Sequence, residues 1–514
     1  MAEEREKVGV CLNESTPREV AFMSPGNISL GDYVELEYEN ARVLGFVKSL
    51  SCSNRLFDND FDFKDVNRLK EISSDHRILY GKISILGDVD KNMFIPRVPP
   101  PPGTDVYLAS SSTLKKVFGG SDEKKICIGS LLTREDVDVY VDVDQIVSRH
   151  LAILAVTGGG KSNTVSVIIE GMLEKFGSIL VFDMHGEYVN FDYKINGESI
   201  VKKLDLKLNP VHLSYREFRQ FANVDDNSFI QDRYLKRAFK KVIDEISTGV
   251  IQVDNFWERL LGELEYYKEL ASDKDSDIRE DRKSIIGVIN KVEDMKESYS
   301  ELFDLFQKPI AEQIEPARLN VIDFSHVDEK VADIIVSHVL RNMLEKRKRY
   351  VHGYDGGLEF PVFSILEEAH ILASSSARTR SKYWISRVAR EGRKFGLGLC
   401  LVSQRPKALD VDSLSQANNM IILKLVEPSD QRHVQQAAEA LSSELVEQLS
   451  SLNVGEALIM GKMIPVPALV KIRRARGKKS GNDTSAVEEW KKIAKKKEKL
   501  LEEIESFYTD KEEF

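Results

Sequence analysis

The stretch LAILAVTGGGKSN, residues 151–163, constrains the fold more than any other part of the chain. An unbroken apolar run enters consecutive glycines, and a lysine and a hydroxyl residue follow at once. That order describes a buried strand, a tight turn and the start of a helix, whose unpaired N–H groups and positive end attract phosphate. Gly158, Gly159 and Gly160 let the backbone turn its amides toward phosphate oxygens, with Thr157 and Asn163 flanking them. Lys161 is then placed to reach the β and γ phosphates of ATP, and Ser162 to ligate Mg2+. The loop opens on Ala155 where the usual pattern has glycine, a small residue that still permits the turn. Downstream, Val165, Ile168, Ile169 and Met172 fall on one face of the expected helix.

A phosphate loop between a strand and a helix implies an α/β fold with a parallel-rich sheet, whose ligands gather at the carboxyl ends of the strands. Apolar runs at 179–182, 319–322, 362–366, 399–402 and 420–423 supply further buried strands. The run FPVFSILEEAH ends in Glu367 and Glu368. Glu367 is expected to hold magnesium through water, and Glu368 to polarise the attacking water. VFDMHGEY places Asp183, His185 and Glu187 beyond another strand, with Asp183 expected to support the water shell of the metal. His185 reads equally well as a hydrogen-bonded turn residue. LVSQRP adds Gln404 and Arg405; Gln404, a neutral donor and acceptor, suits sensing the γ-phosphate or positioning water.

At 514 residues the chain exceeds what one core organises. Residues 1–145 carry short alternating stretches, YVELEYENARVLGFV, YGKISILG and VDVYVDV, which predict a small β-barrel. Residues 146–476 hold the α/β pattern, interrupted over about 211–315 by a charged, helix-favouring stretch read as an inserted helical subdomain. Residues 477–514 begin with the polar linker KKSGNDTS and end in a charged segment able to form one helix. No apolar run approaches the ~18 residues of a membrane span. The start, MAEEREKVGV, lacks the order of a secretory signal, so a cytoplasmic location is expected. Cys11, Cys52, Cys127 and Cys400 are scattered, as reduced, buried structural cysteines would be.

A net charge of −10 excludes a broadly basic coat, yet the basic residues cluster at 346–349, 378–393 and 471–479. Arg378, Arg380 and Lys382 lie in the loop SSSARTRSK, shortly after Glu368. Repeated around a ring, such a loop becomes a dense phosphate track inside an acidic shell. Phosphoryl transfer also needs positive charge on its transition state, which multimeric ATPases commonly take from a neighbour. Arg149 and Arg393 are the candidates, Arg149 because it precedes the phosphate-loop strand and is too far from its own γ-phosphate.

Taken together, RVPPPPGTDVY, IGSLL, DVDQIVSRHLAILAVTGGGKSN, FDMHGEY, ILEEAH, SRVAREGRKFGLGL and SQRP occur in an order that resembles the HerA branch of the HerA and FtsK superfamily over nearly the whole chain. The resemblance implies a HAS barrel, a RecA-like ATPase core with a helical-bundle insertion, and a C-terminal brace on a neighbouring subunit. It also implies a homo-hexamer that encircles double-stranded DNA and translocates on ATP, partnering a NurA-type nuclease in end resection and recombinational repair. Lys161, Glu368, Arg149 and Arg393 match motor residues of that family. Two other readings compete: a nucleotide-switched scaffold that loads a nuclease, and a secretion or conjugation motor, whose N-terminal membrane helices are lacking here.

Overall fold

The structure, a computed structural model, describes residues 5–54, 77–120, 122–195, 197–273, 275–438, 441–477 and 490–493. Apart from 477 and 490–493, the expected linker and C-terminal helix lie outside these residues. Strands β1 (Lys7–Ser15), β2 (Glu19–Ser24), β3 (Tyr33–Tyr38), β4 (Ala41–Asn54), β5 (Arg77–Asp88) and β6 (Asp105–Leu108) close into a barrel in the order β1-β2-β5-β4-β3-β6. Alternation drives the closure: Val20, Phe22, Val34, Leu36, Val43, Val47, Ile83 and Val106 point inward and are buried. Closure also removes sheet edges that would otherwise pair with other chains. The barrel docks through Tyr33, whose ring lies 5.2 Å from that of Phe118 and whose hydroxyl donates to the Pro467 carbonyl at 3.2 Å. Phe118 ends helix α1 (Ser111–Phe118).

The remaining strands build an eleven-stranded sheet. In chain order they are β7 (Lys125–Leu131), β8 (Asp138–Asp142), β9 (Leu151–Leu154) and β10 (Ile179–Asp183). A two-residue hairpin, β11 (Lys194–Ile195) with β12 (Glu198–Ser199), stands apart from it. Then follow β13 (Val201–Lys203), β14 (Leu319–Asp323), β15 (Val362–Leu366), β16 (Leu397–Ser403), β17 (Asn419–Leu423), β18 (Glu456–Gly461) and β19 (Ala468–Ile472). The order is β13-β14-β10-β15-β16-β9-β17-β18-β19-β7-β8, parallel from β13 to β17 and antiparallel beyond.

One expectation is corrected. The VDVYVDV stretch, read as a barrel strand, is β8 at the edge of the large sheet, and the barrel ends with Leu108. Alternation reports a half-buried strand but not which sheet it joins. Here β7 is drawn over helix α3 (Lys161–Glu174), where a side chain on Gly171 would meet Ile126 at 2.8 Å. That cover explains why α3 is buried almost all round, rather than on the single expected face. Helix α2 (Val143–Arg149) then leads from β8 into β9. Of the cysteines, Cys11 and Cys400 are buried, but Cys52 is exposed on β4, against expectation.

Between β13 and β14 stands a bundle of α4 (Tyr215–Phe221), α5 (Phe229–Ser247), α6 (Phe256–Leu270) and α7 (Arg282–Ser298). It has its own aromatic core, in which Phe218 stacks on Phe239 and meets Phe256 edge-on. Glu217 fixes the bundle to the sheet. Its carboxylate completes the capping box of α4 with Ser214. It also accepts from Arg341 Nε at 3.1 Å and Nη2 at 3.0 Å, and meets His338 Nδ1 at 3.2 Å. Both partners lie on α8 (Glu329–Val351), which follows β14. Burial alone would raise the Glu217 pKa, but His338 and Arg341 outweigh it and hold it at about 2. A carboxylate with a depressed folded pKa stabilises fully above its unfolded value and loses that stabilisation as the pH falls through the folded one. We therefore expect a loss of roughly 3 kcal/mol in bundle docking on acidification. Hydrogen exchange of α4 should accelerate as the pH falls from 4.5 toward 2, after correction for intrinsic rates, and Glu217→Gln should abolish that dependence.

Candidate active site

Strands β9, β10, β15 and β16 run parallel, so their carboxyl ends deliver residues to one edge. The loop after β9 is formed by Gly158 at φ 77° and Gly160 at φ 100°, a region in which side chains are strained. Gly160 also lies against Gly455, which its added Cβ would approach at 3.2 Å. Ala155 is fully buried, its N–H donating to the Ser403 carbonyl at 3.2 Å, so the departure from glycine is accommodated. The Gly159 N–H folds back on Val156 O at 3.0 Å, tightening the turn.

Lys161, only 7% exposed, donates from Nζ to Glu367 Oε2 at 2.9 Å and to Glu368 Oε1 at 2.6 Å. Glu367 ends its strand in a closed setting, with Oε1 accepting from the Tyr188 hydroxyl at 2.7 Å. Glu368 stands in the left-handed region, φ 46° and ψ 46°, before helix α9 (Ala369–Leu372). Such a backbone is costly for a non-glycine residue and typifies sites where a side chain must be aimed. The aim is achieved: Glu368 Oε1 also accepts from Gln404 Nε2 at 2.8 Å, and Oε2 lies 3.3 Å from His370 Nδ1. Gln404 Oε1 in turn accepts from the Thr157 hydroxyl at 2.7 Å, closing a circuit from phosphate loop to acid.

The two carboxyls are pushed in opposite directions. Burial raises Glu367 despite Lys161, whereas at Glu368 the bonds from Lys161 and the charges of Lys161 and His370 overcome burial and lower it. Burial would lower the Lys161 ammonium, but the paired acids hold it above its ordinary value. Neighbouring acids separated in this way divide the work of proton acceptor and charge holder. The donors suit Mg2+, which prefers oxygen and is usually held by few carboxylates plus substrate phosphates. Ser162 Oγ is partly exposed on the first turn of α3 with no hydrogen-bond partner among the described residues, close in sequence to the Lys161 that binds both acids. Among the described residues no cluster of three or more His, Cys, Asp or Glu could cage a metal.

Not every expected residue faces this edge freely. Asp183 is fully buried and accepts backbone N–H groups from His185 at 3.4 Å, Glu187 at 3.1 Å and Tyr188 at 2.8 Å. It holds the turn, and does not open onto a metal's water shell. The Asn163 side chain is likewise engaged, donating to Arg473 O at 2.9 Å and accepting from Ala475 N at 3.0 Å, which ties α3 to the chain after β19. His185 is half-exposed at 3.8 Å from Glu368. Arg149 and Arg393 precede β9 and β16, at the amino edge, opposite the phosphate loop. Neither forms an ion pair among the described residues.

The expected DNA loop is also redrawn. Arg380 and Lys382 belong to helix α10 (Arg380–Glu391), and only Arg378 remains in the exposed loop. Lys382 Nζ is paired with Asp410 at 2.7 Å and so is withdrawn from any phosphate track. In the C-terminal basic cluster, Arg473 and Arg476 pair with Glu170 and Glu174 of α3, whereas Lys471 and Arg474 are exposed. Tyr188, His370 and Glu170 complete the site's support without having been singled out from sequence. Tyr188 and His370 sit within FDMHGEY and ILEEAH, so motif membership was the available signal; Glu170 had none.

The phosphate loop, the paired acids and the parallel sheet define a P-loop ATPase. Its barrel and core carry the particular lineage: residues 126–343 match the family described as helicase HerA, central domain, and residues 8–91 the HAS barrel domain. A probable helicase of Methanocaldococcus jannaschii is 40% identical over 497 residues, covering 95% of this chain and 94% of its own length. The DNA double-strand break repair helicase HerA of Saccharolobus solfataricus is 38% identical over 513 residues, with 98% and 99% covered. The chain belongs to the HerA helicase family, and is an ATP-hydrolysing enzyme of that family. VirB4 of Thermoanaerobacter pseudethanolicus shares the core fold, with a TM-score of 0.51 and 16% identity over 69% of this chain and 98% of VirB4. Among the described residues no helix is long and apolar enough to cross a membrane.

Proposed function

We propose that the protein is an ATP-driven, homo-hexameric double-stranded DNA translocase and helicase, acting with a NurA-type nuclease in DNA end resection and recombinational repair. In this reading Glu368 orients the attacking water and Glu367 holds the water shell of Mg2+, which offsets charge on the transferring phosphoryl group. Lys161 leaves the two acids for the phosphates when nucleotide enters. Gln404, bonded to both Thr157 and Glu368, reports γ-phosphate occupancy to the acid.

The observation that carries the reading is the split of the charges: acids and phosphate loop lie at the carboxyl edge, unpaired Arg149 and Arg393 at the amino edge. One chain cannot bring them together, whereas adjacent copies in a ring can. Mixing Lys161→Ala with Arg149→Ala chains tests this directly. Each alone should be inactive, and the mixture should regain part of the ATPase, because some interfaces then combine an intact lysine with an intact arginine. No regain would assign Arg149 to a structural role. Hydrolysis should also be stimulated by duplex DNA and the stimulation should fall with salt as phosphate contacts weaken. Turnover indifferent to both DNA and salt would favour a nucleotide-switched nuclease scaffold.

A further inference from the structure

Where the helical insertion meets α10, a second constellation of charge lies outside the nucleotide site. Arg219 of α4 and Arg380 of α10 line one open space with Gln220, Asn223, Asp225 and Asp226. Its volume is 160 Å³, several times the roughly 30 Å³ of one water and so room for a phosphate group. Two arginines thus line the space, and Arg216 and Arg378 lie within electrostatic reach of it, Arg216 acting on Arg380 and Arg378 on Asp226.

Of the acids near it, Asp225 lines the space from an exposed position, Asp226 and Asp232 pair with Arg219, and Asp333 is engaged by α10. Asp333 caps the start of α10, accepting from Arg380 N and Ser381 N at 2.9 Å each. Asp232 accepts from the Tyr215 hydroxyl at 2.7 Å and from Arg219 Nη1 at 3.1 Å. Asp226 pairs with Arg219 from an exposed loop, its side chain 88% exposed. The Arg380 guanidinium is partly buried and makes no ion pair or hydrogen bond among the described residues. Arg219 Nε and Gln220 Oε1 are buried without a hydrogen-bond partner. A buried donor left unpaired is costly, and so marks a place for an absent acceptor.

We propose that Arg216, Arg219, Arg378 and Arg380 form a seat for a backbone phosphate of nucleic acid, in which Asp226 is a displaceable stand-in for that phosphate. Arginine forks suit phosphate oxygens, and the phosphodiester outcompetes an exposed, solvated carboxylate. The seat joins the helical insertion to the segment beginning at Glu368, since α9 and the Arg378 loop lead straight from that acid into α10. The insertion thereby becomes part of the track on which the motor grips DNA. The inference rests on the DNA-translocase reading.

The test is equilibrium binding of the full-length protein to a labelled random-sequence duplex across a salt series, with assembly state and melting measured in parallel. Asp226→Asn should tighten binding roughly two- to fivefold by removing the competing carboxylate. Arg216→Gln and Arg378→Gln, at exposed positions that leave the fold intact, should each weaken binding and lower the salt slope by about 1. Unchanged affinity and slope in all three variants, with wild type still binding duplex, overturns the seat and leaves the translocase reading standing. Wild type that binds no duplex at all overturns that reading itself. Variants that alter assembly but not DNA affinity overturn the seat in favour of an acidic protein partner. Inorganic phosphate that displaces duplex at equimolar concentration makes the seat one for free phosphate and overturns the nucleic-acid assignment.

Discussion

Glu368→Gln should lower ATP turnover by about 10²- to 10⁴-fold, the range that a positioned general base contributes, while nucleotide binding persists. The amide keeps the shape of the side chain and can still accept from Lys161 and Gln404, which bond to Oε1 in the native site. It loses the charge and basicity that bring the attacking water into line. The lowered Glu368 pKa means that the native group is an ionised acceptor at neutral pH, so the loss is of function and not of a rare protonation state. Glu367→Gln should behave differently, weakening the dependence on Mg2+ concentration, because that acid sits deeper and is tied to Tyr188. Single-turnover hydrolysis and equilibrium binding of a fluorescent nucleotide, run together, separate the two variants. Equal loss of binding in Glu368→Gln would remove it from the catalytic role.

Glu170→Ala should release the chain after β19 at a local cost of about 3–5 kcal/mol, the penalty for breaking a buried pair by deleting one partner. The Glu170 carboxylate is fully buried in α3, three turns beyond the phosphate loop. Its Oε2 accepts from Arg473 Nη1 at 2.7 Å, and its Oε1 from the backbone of Arg476 and from Gly477 N at 2.7 Å. Alanine strands these donors and leaves a void. Amide exchange over 470–477 should accelerate by the corresponding factor, and trypsin should cut at Arg473, Arg474 or Arg476. Glu170→Gln, which keeps an acceptor, should fall between. Exchange unchanged in the alanine variant would mean that other contacts hold this segment. Because the same segment bonds Asn163 beside Ser162, its release should also raise the nucleotide Kd.

Much of this molecule was legible in the chain because its parallel core repeats a simple physical pattern. Strands such as Val362–Leu366 are buried on both faces and so read as unbroken apolar runs, and function clusters at their ends. Three glycines before Lys161 specify a backbone route almost by themselves. VDVYVDV shows the limit: period-two alternation identifies a strand, but the choice between barrel and sheet depends on β7 crossing α3 at Gly171.

The site divides the same way. Local sequence singled out Lys161, Glu367 and Glu368, which the fold brings together, since each lies beyond a strand end in a motif whose geometry is local. Tertiary structure alone decided their company. Tyr188 reaches Glu367 across 179 positions of sequence, Arg473 reaches Glu170 across 303, and Asp410 takes Lys382 out of the basic track. A charge run records how many cations a segment carries; which of them stay free depends on where distant carboxylates arrive, and folding sets that only when the layers close. For that reason Arg378 stays exposed, Lys382 is neutralised, and Arg219 and Arg380 meet from elements that the chain keeps far apart.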